Sequence, residues 1–189
     1  MLNRTENAID QRGASADGDV VGRDKISFHS TAERRNQIDG WLERLDQELR
    51  DSPQLRGFVD NLQYYMQDSL YDSVIGLEAK LQHSGRSKQI ASALRKKEAF
   101  TKLLDEWQAY PAAQEIIAYF LSKIDATFNS KIEPRISTVS ADEIDAMILD
   151  EIVDKVLREM GCGPFMLNHN NVSGMFYWLA HKCYVRWHV

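Results

Sequence analysis

From Gly174 to Ala180 the chain reads Gly-Met-Phe-Tyr-Trp-Leu-Ala, with no charge on any side of a helix. A helix that is apolar all round must be enclosed by others. This segment therefore demands a multi-helix body around it, and the preceding sequence supplies one. Ile38, Trp41, Leu42, Leu45 and Leu49 recur at helical spacing, as do Leu55, Phe58, Val59, Leu62 and Met66 after the helix-opening pair Ser52-Pro53. Val74, Ile75, Leu77 and Leu81 mark a further amphipathic piece that stops near Gly85. From Ser87 to Tyr110 the stripe is Ile90, Ala93, Leu94, Phe100, Leu103, Leu104 and Trp107. Pro111 then opens a helix containing Ile116, Ile117, Phe120, Leu121, Ile124 and Phe128.

Punctuation agrees with this periodicity. Ser30 with Glu33, and Ser140 with Glu143, have the spacing of capping boxes. The helix after Ser140 carries Ile144, Met147, Ile148, Ile152, Val156 and Met160 and ends at Gly161-Cys162-Gly163-Pro164. Asn129 to Val139, interrupted by Pro134, reads as an extended link. Cys183 to Trp187 is β-branched and aromatic, which allows a short C-terminal strand.

The first 28 residues differ. Met1 to Asp17 is polar and aperiodic, as in a flexible tail. In Gly18 to Phe28, two β-prone pieces, Val20-Val21 and Lys25 to Phe28, flank Gly22-Arg23-Asp24 and suggest a small hairpin or β-arch. A lone hairpin is marginal in water, so Val20, Val21, Gly22 and Ile26 are candidate contacts with another copy or another chain. The expected fold is mainly α, with a tail over 1–17, a glycine-rich β motif over 18–28 and a helical domain over 30–189.

Bulk properties narrow the function. A net charge of −5 and a pI near 5.5 disfavour broad binding to nucleic acid or anionic membranes. No apolar run nears the ~20 residues that span a bilayer, and MLNRTENAIDQRG has no apolar signal core. Two cysteines are too few for a disulfide framework. The cytoplasm is the expected compartment.

Several constellations invite sharper readings. Arg86, Lys88, Arg95, Lys96, Lys97 and Lys102 could contact phosphates, giving an alternative function as a nucleic-acid-binding regulator through helix 86–102. No aromatic ladder accompanies them, and a solvated helix face explains them as well. Asp142, Glu143, Asp145, Asp150, Glu151 and Asp154 suit a helix start and its surface better than a metal site. Cys162, His169, His181 and Cys183 are zinc-type ligands, but their spacing matches no common structural site. No Walker loop, Rossmann glycine pattern or nucleophile elbow is present. No catalytic residue, metal site or cofactor is therefore expected.

Val172-Ser173-Gly174-Met175-Phe176-Tyr177-Trp178-Leu179, followed by Cys183-Tyr184-Val185-Arg186-Trp187, resembles the ending of helical C-terminal domains in ABC-three-component conflict systems. Gly76 to Leu81, Lys97-Glu98 with Phe100, Ala113 to Ile116 and Ile132-Glu133-Pro134 are similar to that domain as well. Gly18 to Ile26 resembles the short glycine-rich β motif found ahead of modules in bacterial conflict proteins. The resemblance implies antiviral or anti-plasmid defence, as in Lamassu-like systems, where an SMC-like ABC ATPase works with a middle component and an effector, often a nuclease. No effector domain precedes the helical body here, so what the resemblance implies is docking, not nuclease activity. Aromatic residues and arginine favour interface cores, which makes Tyr177, Trp178, Arg186 and Trp187 the candidate partner contacts. A homo-oligomer is expected too.

Overall fold

Apolar stripes become helices because burying them is the main gain available to them; Val74 and Ile75 are an exception, lying outside any helix with Ile75 exposed. A computed structural model describes residues 37–51, 58–69, 72–161 and 165–187. Within them run α1 (Gln37–Asp51), α2 (Asp60–Met66), α3 (Leu77–His83), α4 (Ile90–Trp107), α5 (Pro111–Thr127), α6 (Ala141–Ile148), α7 (Asp154–Met160) and α8 (His169–His181). The tail, the β motif, the Ser30–Glu33 box, Ser52-Pro53 and Cys162 lie outside the described residues. No helix among those described is long and apolar enough to cross a membrane.

The helix with no polar side is enclosed as its composition requires. Val172, Gly174, Met175, Phe176, Trp178, Leu179 and Ala180 of α8 are all buried. α4 lies along α8, α3 touches both, and α1 and α2 pack on α5. α5 opens on Pro111, and Glu48 of α1 accepts the free N–H of Ala112 at 2.9 Å, neutralising an orphan donor of the first turn. Gln114 is buried on the same helix, where it accepts from the Val59 N–H and donates to the Gln108 carbonyl, both at 2.6 Å.

Among the described residues, two helix starts carry complete side-chain caps. Ser140 and Glu143 form the anticipated capping box. Asn168 and Asn171 form another at the start of α8, which Asn171's amide permits as Glu would.

Two expectations are corrected. Asn129 to Val139 is not extended. α5 continues as a π-helical turn (Phe128–Ile132) and a 3₁₀ turn (Glu133–Arg135). Pro134 sits in the first turn of the 3₁₀ segment, where its missing N–H removes no bond, while Phe128 and Ile132 are buried and hold the helical course. A second π turn, Leu149–Val153, joins α6 to α7. In both, an N–H bonds five residues back: Glu133 to Phe128 and Asp154 to Leu149.

Glu151 in the second π turn receives Lys131 from the first at 2.6 Å and Lys155 at 2.7 Å. Hydrogen bonds from Lys131, then Lys155, hold its carboxyl down from the ordinary 4.5 to about 2. A carboxyl depressed by folding stabilises fully above its unfolded value and loses that contribution as pH falls. Acid titration of stability should therefore show Glu151→Gln losing less than the parent between pH 4.5 and 2. Parallel curves would mean that the bridge is energetically silent.

Cys183 to Trp187 forms no strand; turn and bend occupy that stretch. Cys183 adopts φ +67°. Its N–H bonds to Ala180 and the next N–H, of Tyr184, reaches back to Leu179, the pattern of a Schellman closure. α3 ends in the same way around Gly85, φ +76°, with Gly85 bonded to Gln82 and Arg86 to Leu81. One site has the residue suited to a positive φ; the other has a buried cysteine. β propensity could not reveal this, because the tight reversal overrides it.

A left-handed non-glycine residue costs about 1 kcal/mol or more. Cys183→Gly should accordingly be about 1 kcal/mol more stable than Cys183→Ala in denaturant unfolding, the reverse of the usual ranking. Equal stabilities would place no strain at residue 183.

Candidate functional site

The reversal at Cys183 brings Trp187 back against α8, one turn from the helix that precedes it. Phe176 and Trp187 ring centroids are 5.1 Å apart, Phe176 and Tyr177 5.8 Å, and Tyr177 and Trp187 6.1 Å. This aromatic trio forms one wall of a cleft. Gln89, Ser92 and Lys96 of the α4 side, Asp145 and Ile148 of α6, Leu149 and Val153 of the π turn, and Ser173 complete it, enclosing about 330 Å³.

Beside the cleft lies an ionic node with a buried Arg86 and a part-exposed Asp145. Arg86 donates from Nε to Asp145 Oδ1 at 2.8 Å and from its terminal nitrogens to the carbonyls of Ala141 (3.1 Å) and Ser84 (3.3 Å). Gln89 Nε2 donates to the other Asp145 oxygen at 2.6 Å. The guanidinium also stands 5.8 Å from the Trp187 ring centroid, within cation–π range. Burial raises the Tyr177 phenol above its ordinary value; Asp145 adds to that and Arg86 opposes it. The phenol is thus neutral at pH 7, a donor as well as an acceptor.

A second node lies deeper. The Lys80 ammonium is wholly buried and meets Asp72 Oδ2 at 2.6 Å, the Ala180 carbonyl at 2.8 Å and the Val185 carbonyl at 3.1 Å. The ammonium donates to the two carbonyls and forms an ion pair with the carboxylate. Two of those oxygens flank the Cys183 turn, so the same lysine that neutralises Asp72 also fixes the return of Trp187.

Of the residues singled out in the sequence, Tyr177 and Trp187 come together at the cleft. Tyr177 is half-buried and Trp187 buried. Trp178 faces the opposite side, edge-on to Phe100 at 5.7 Å and beneath the Lys182 ammonium at 5.9 Å. Arg186 is part-exposed and reaches Glu133 at 3.8 Å. Val20, Val21, Gly22 and Ile26 lie outside the described residues.

The basic run divides. Arg86 is interior, Lys96 lines the cleft, Lys102 pairs with Glu98 at 3.1 Å, and Lys88 and Arg95 face solvent. The acidic run divides too. Glu143 caps α6, Asp145 holds Arg86, Glu151 bridges the π turns and Asp154 stands 3.5 Å from His169. Among the described residues no three His, Cys, Asp or Glu side chains converge on one point.

Sequence reasoning missed Lys80, the Arg86–Asp145 pair and Gln114. Lys80 carried a signal: it lies three residues from Leu77 and one from Leu81, on the apolar side of its helix.

A family model described as C-terminal domain 9 (CTD9) of the ABC-three component (ABC-3C) systems matches residues 76–187, more than half of the chain. No curated protein and no solved structure matches.

Proposed function

The chain belongs to the C-terminal domain 9 family of the ABC-three component systems, and from that premise we propose that it is a non-catalytic assembly component of such a system. It docks on the ABC ATPase or the middle component in the cytoplasm and serves defence against phage or plasmid. Tyr177, Trp178, Arg186 and Trp187 supply its partner contacts, with Trp187 packed against Tyr177. The Val20, Val21, Gly22 and Ile26 segment joins copies or recruits an effector.

The observation that carries this reading is the family match over the whole stretch from α3 to Trp187. The state of the polar side chains supports it. Lys80, Arg86, Asp145 and Gln114 are tied to backbone or to one another, and a group so engaged is held for structure more readily than for proton transfer. Arg86, turned inward on Asp145, leaves the nucleic-acid alternative with a smaller exposed cationic face.

Co-expression of the full chain with the ABC ATPase of an ABC-three component system tests the proposal. A stoichiometric complex in size-exclusion light scattering is the expected result. Independent elution of the two, with and without ATP and with the middle component present, would overturn it. The same measurement on the chain lacking residues 1–28 tests self-association, which should be lost with that segment.

A further inference from the structure

A second concavity, lined by none of Tyr177, Trp178, Arg186 and Trp187, runs between α1 and α2. Its floor is one face of α5, where Glu115, Ala118, Tyr119 and Ser122 follow at helical spacing. Trp41 of α1 stands on one side, and Asp60, Tyr64 and Tyr65 of α2 on the other, around about 460 Å³. The space is open at its rim, where Tyr64 is 61% exposed. α5 holds both walls: the Ala112 N–H donates to Glu48 of α1, and Gln114 accepts from the Val59 N–H just ahead of α2.

The rings meet as two corners. Trp41 and Tyr119 stand edge to face, centroids 5.7 Å apart at 65°, and Tyr64 and Tyr65 are 4.9 Å apart at 89°. The Tyr119 hydroxyl donates to Glu159 at 2.6 Å and Tyr65 is buried, which anchors one ring of each corner. Nearly perpendicular rings offer their electron-rich faces in different directions, the arrangement that suits a cation among them.

Charge points the same way. Asp60 and Glu115 line the groove, and no Lys, Arg or His lines it among the described residues. Glu115 accepts from the neutral Asn61 amide at 2.9 Å. Lys123, 5.9 Å from the Tyr119 ring, is balanced by Glu159. Two carboxylates thus stand beside four aromatic side chains and call for a cationic donor.

We propose that this groove is a docking site for an arginine side chain of a protein partner, its guanidinium stacked on the aromatic wall and paired with Asp60 or Glu115. A planar guanidinium stacks and pairs at once, whereas an ammonium is a strongly hydrated point charge. A free small molecule is ordinarily enclosed on most of its surface; an open groove suits a side chain delivered by a larger chain. The proposal rests on the docking reading and adds to it a second surface and the chemistry of its occupant.

The probe is the peptide acetyl-Gly-Arg-Gly-amide, titrated into the full chain, with citrulline or lysine in place of arginine as controls. The four tryptophans give four indole N–H resonances by NMR, and Trp41→Phe assigns one of them. A saturable shift of the Trp41 resonance with the arginine peptide is expected, with the lysine peptide weaker and the uncharged citrulline peptide at least about tenfold weaker. Asp60→Asn combined with Glu115→Gln should weaken the arginine peptide by about tenfold or more and leave the citrulline peptide unchanged, a pattern that a folding defect would not produce. Tyr64→Leu should weaken the arginine peptide about threefold. A Trp41 resonance indifferent to the arginine peptide at tens of millimolar, a lysine or citrulline peptide that binds as tightly, or variants without effect overturn the proposal. So does a response that appears only once Arg34→Gln and Arg35→Gln are introduced, which would give the groove to the chain's own arginines. A chain that forms the complex with the ATPase component yet ignores the peptide loses the groove and keeps the docking reading.

Discussion

Gly174→Ala should destabilise the domain by about 3 kcal/mol or more, although alanine is the better helix former by about 1 kcal/mol. A Cβ at residue 174 would lie 2.3 Å from the Lys96 carbonyl oxygen and 2.9 Å from the Phe100 Cβ. Ordinary contact begins near 3.4 Å, so α4 and α8 would have to separate by about 1 Å along a close-packed face. The first atom met is backbone and cannot swing aside. Gly40, within α1, is the internal control: a Cβ there meets nothing within 4 Å. Gly40→Ala should stabilise by about 0.5–1 kcal/mol. Opposite signs from one substitution in two helices, read by urea unfolding, would establish close approach as the cause. A Gly174→Ala protein as stable as the parent would mean that the two helices are not in contact at that point.

Lys80→Met should cost about 3–5 kcal/mol, the range for breaking a buried ion pair from one side. The methionine keeps most of the volume and removes the charge. Asp72, whose side chain is 1% exposed, would lose its cation, and the Ala180 and Val185 carbonyls would lose their donor. In a domain of this size the melting temperature should fall on the order of 10 °C. Adding Asp72→Asn should recover part of the loss, since an amide tolerates a missing cation better than a carboxylate does. A loss under about 1 kcal/mol for Lys80→Met, or a double variant no better than the single, would contradict a paired interior charge.

The helical body was legible because its stripes, its prolines and its Ser140–Glu143 box all act over four residues or fewer. Gly85 and Gly161 end helices with positive φ as their residue type suggests. What stayed hidden acts over longer range or against type. The π turns need a bond five residues back, which no local pattern announces. Cys183 to Trp187 has strand-forming residues, yet the left-handed turn and the Lys80 clamp bend the segment onto the core. Arg86 looked like one of six surface cations because its partner, Asp145, is 59 residues away. At the candidate site, the aromatic half of the cleft was visible in Tyr177 and Trp187. The polar half was not, because Gln89, Lys96 and Asp145 come from helices whose pairing only the fold reveals.

The wide turn at Leu149–Val153 leaves the rod from Ala141 to Met160 one residue longer than a regular helix between the same two ends. Elsewhere in a helix, losing a residue rotates everything beyond it by about 100° and turns its apolar side to water. Here the loss of an exposed residue such as Asp150 would merely restore regular winding, with Ile144 and Val156 still facing inward. That stretch is where the domain can change length without losing its core.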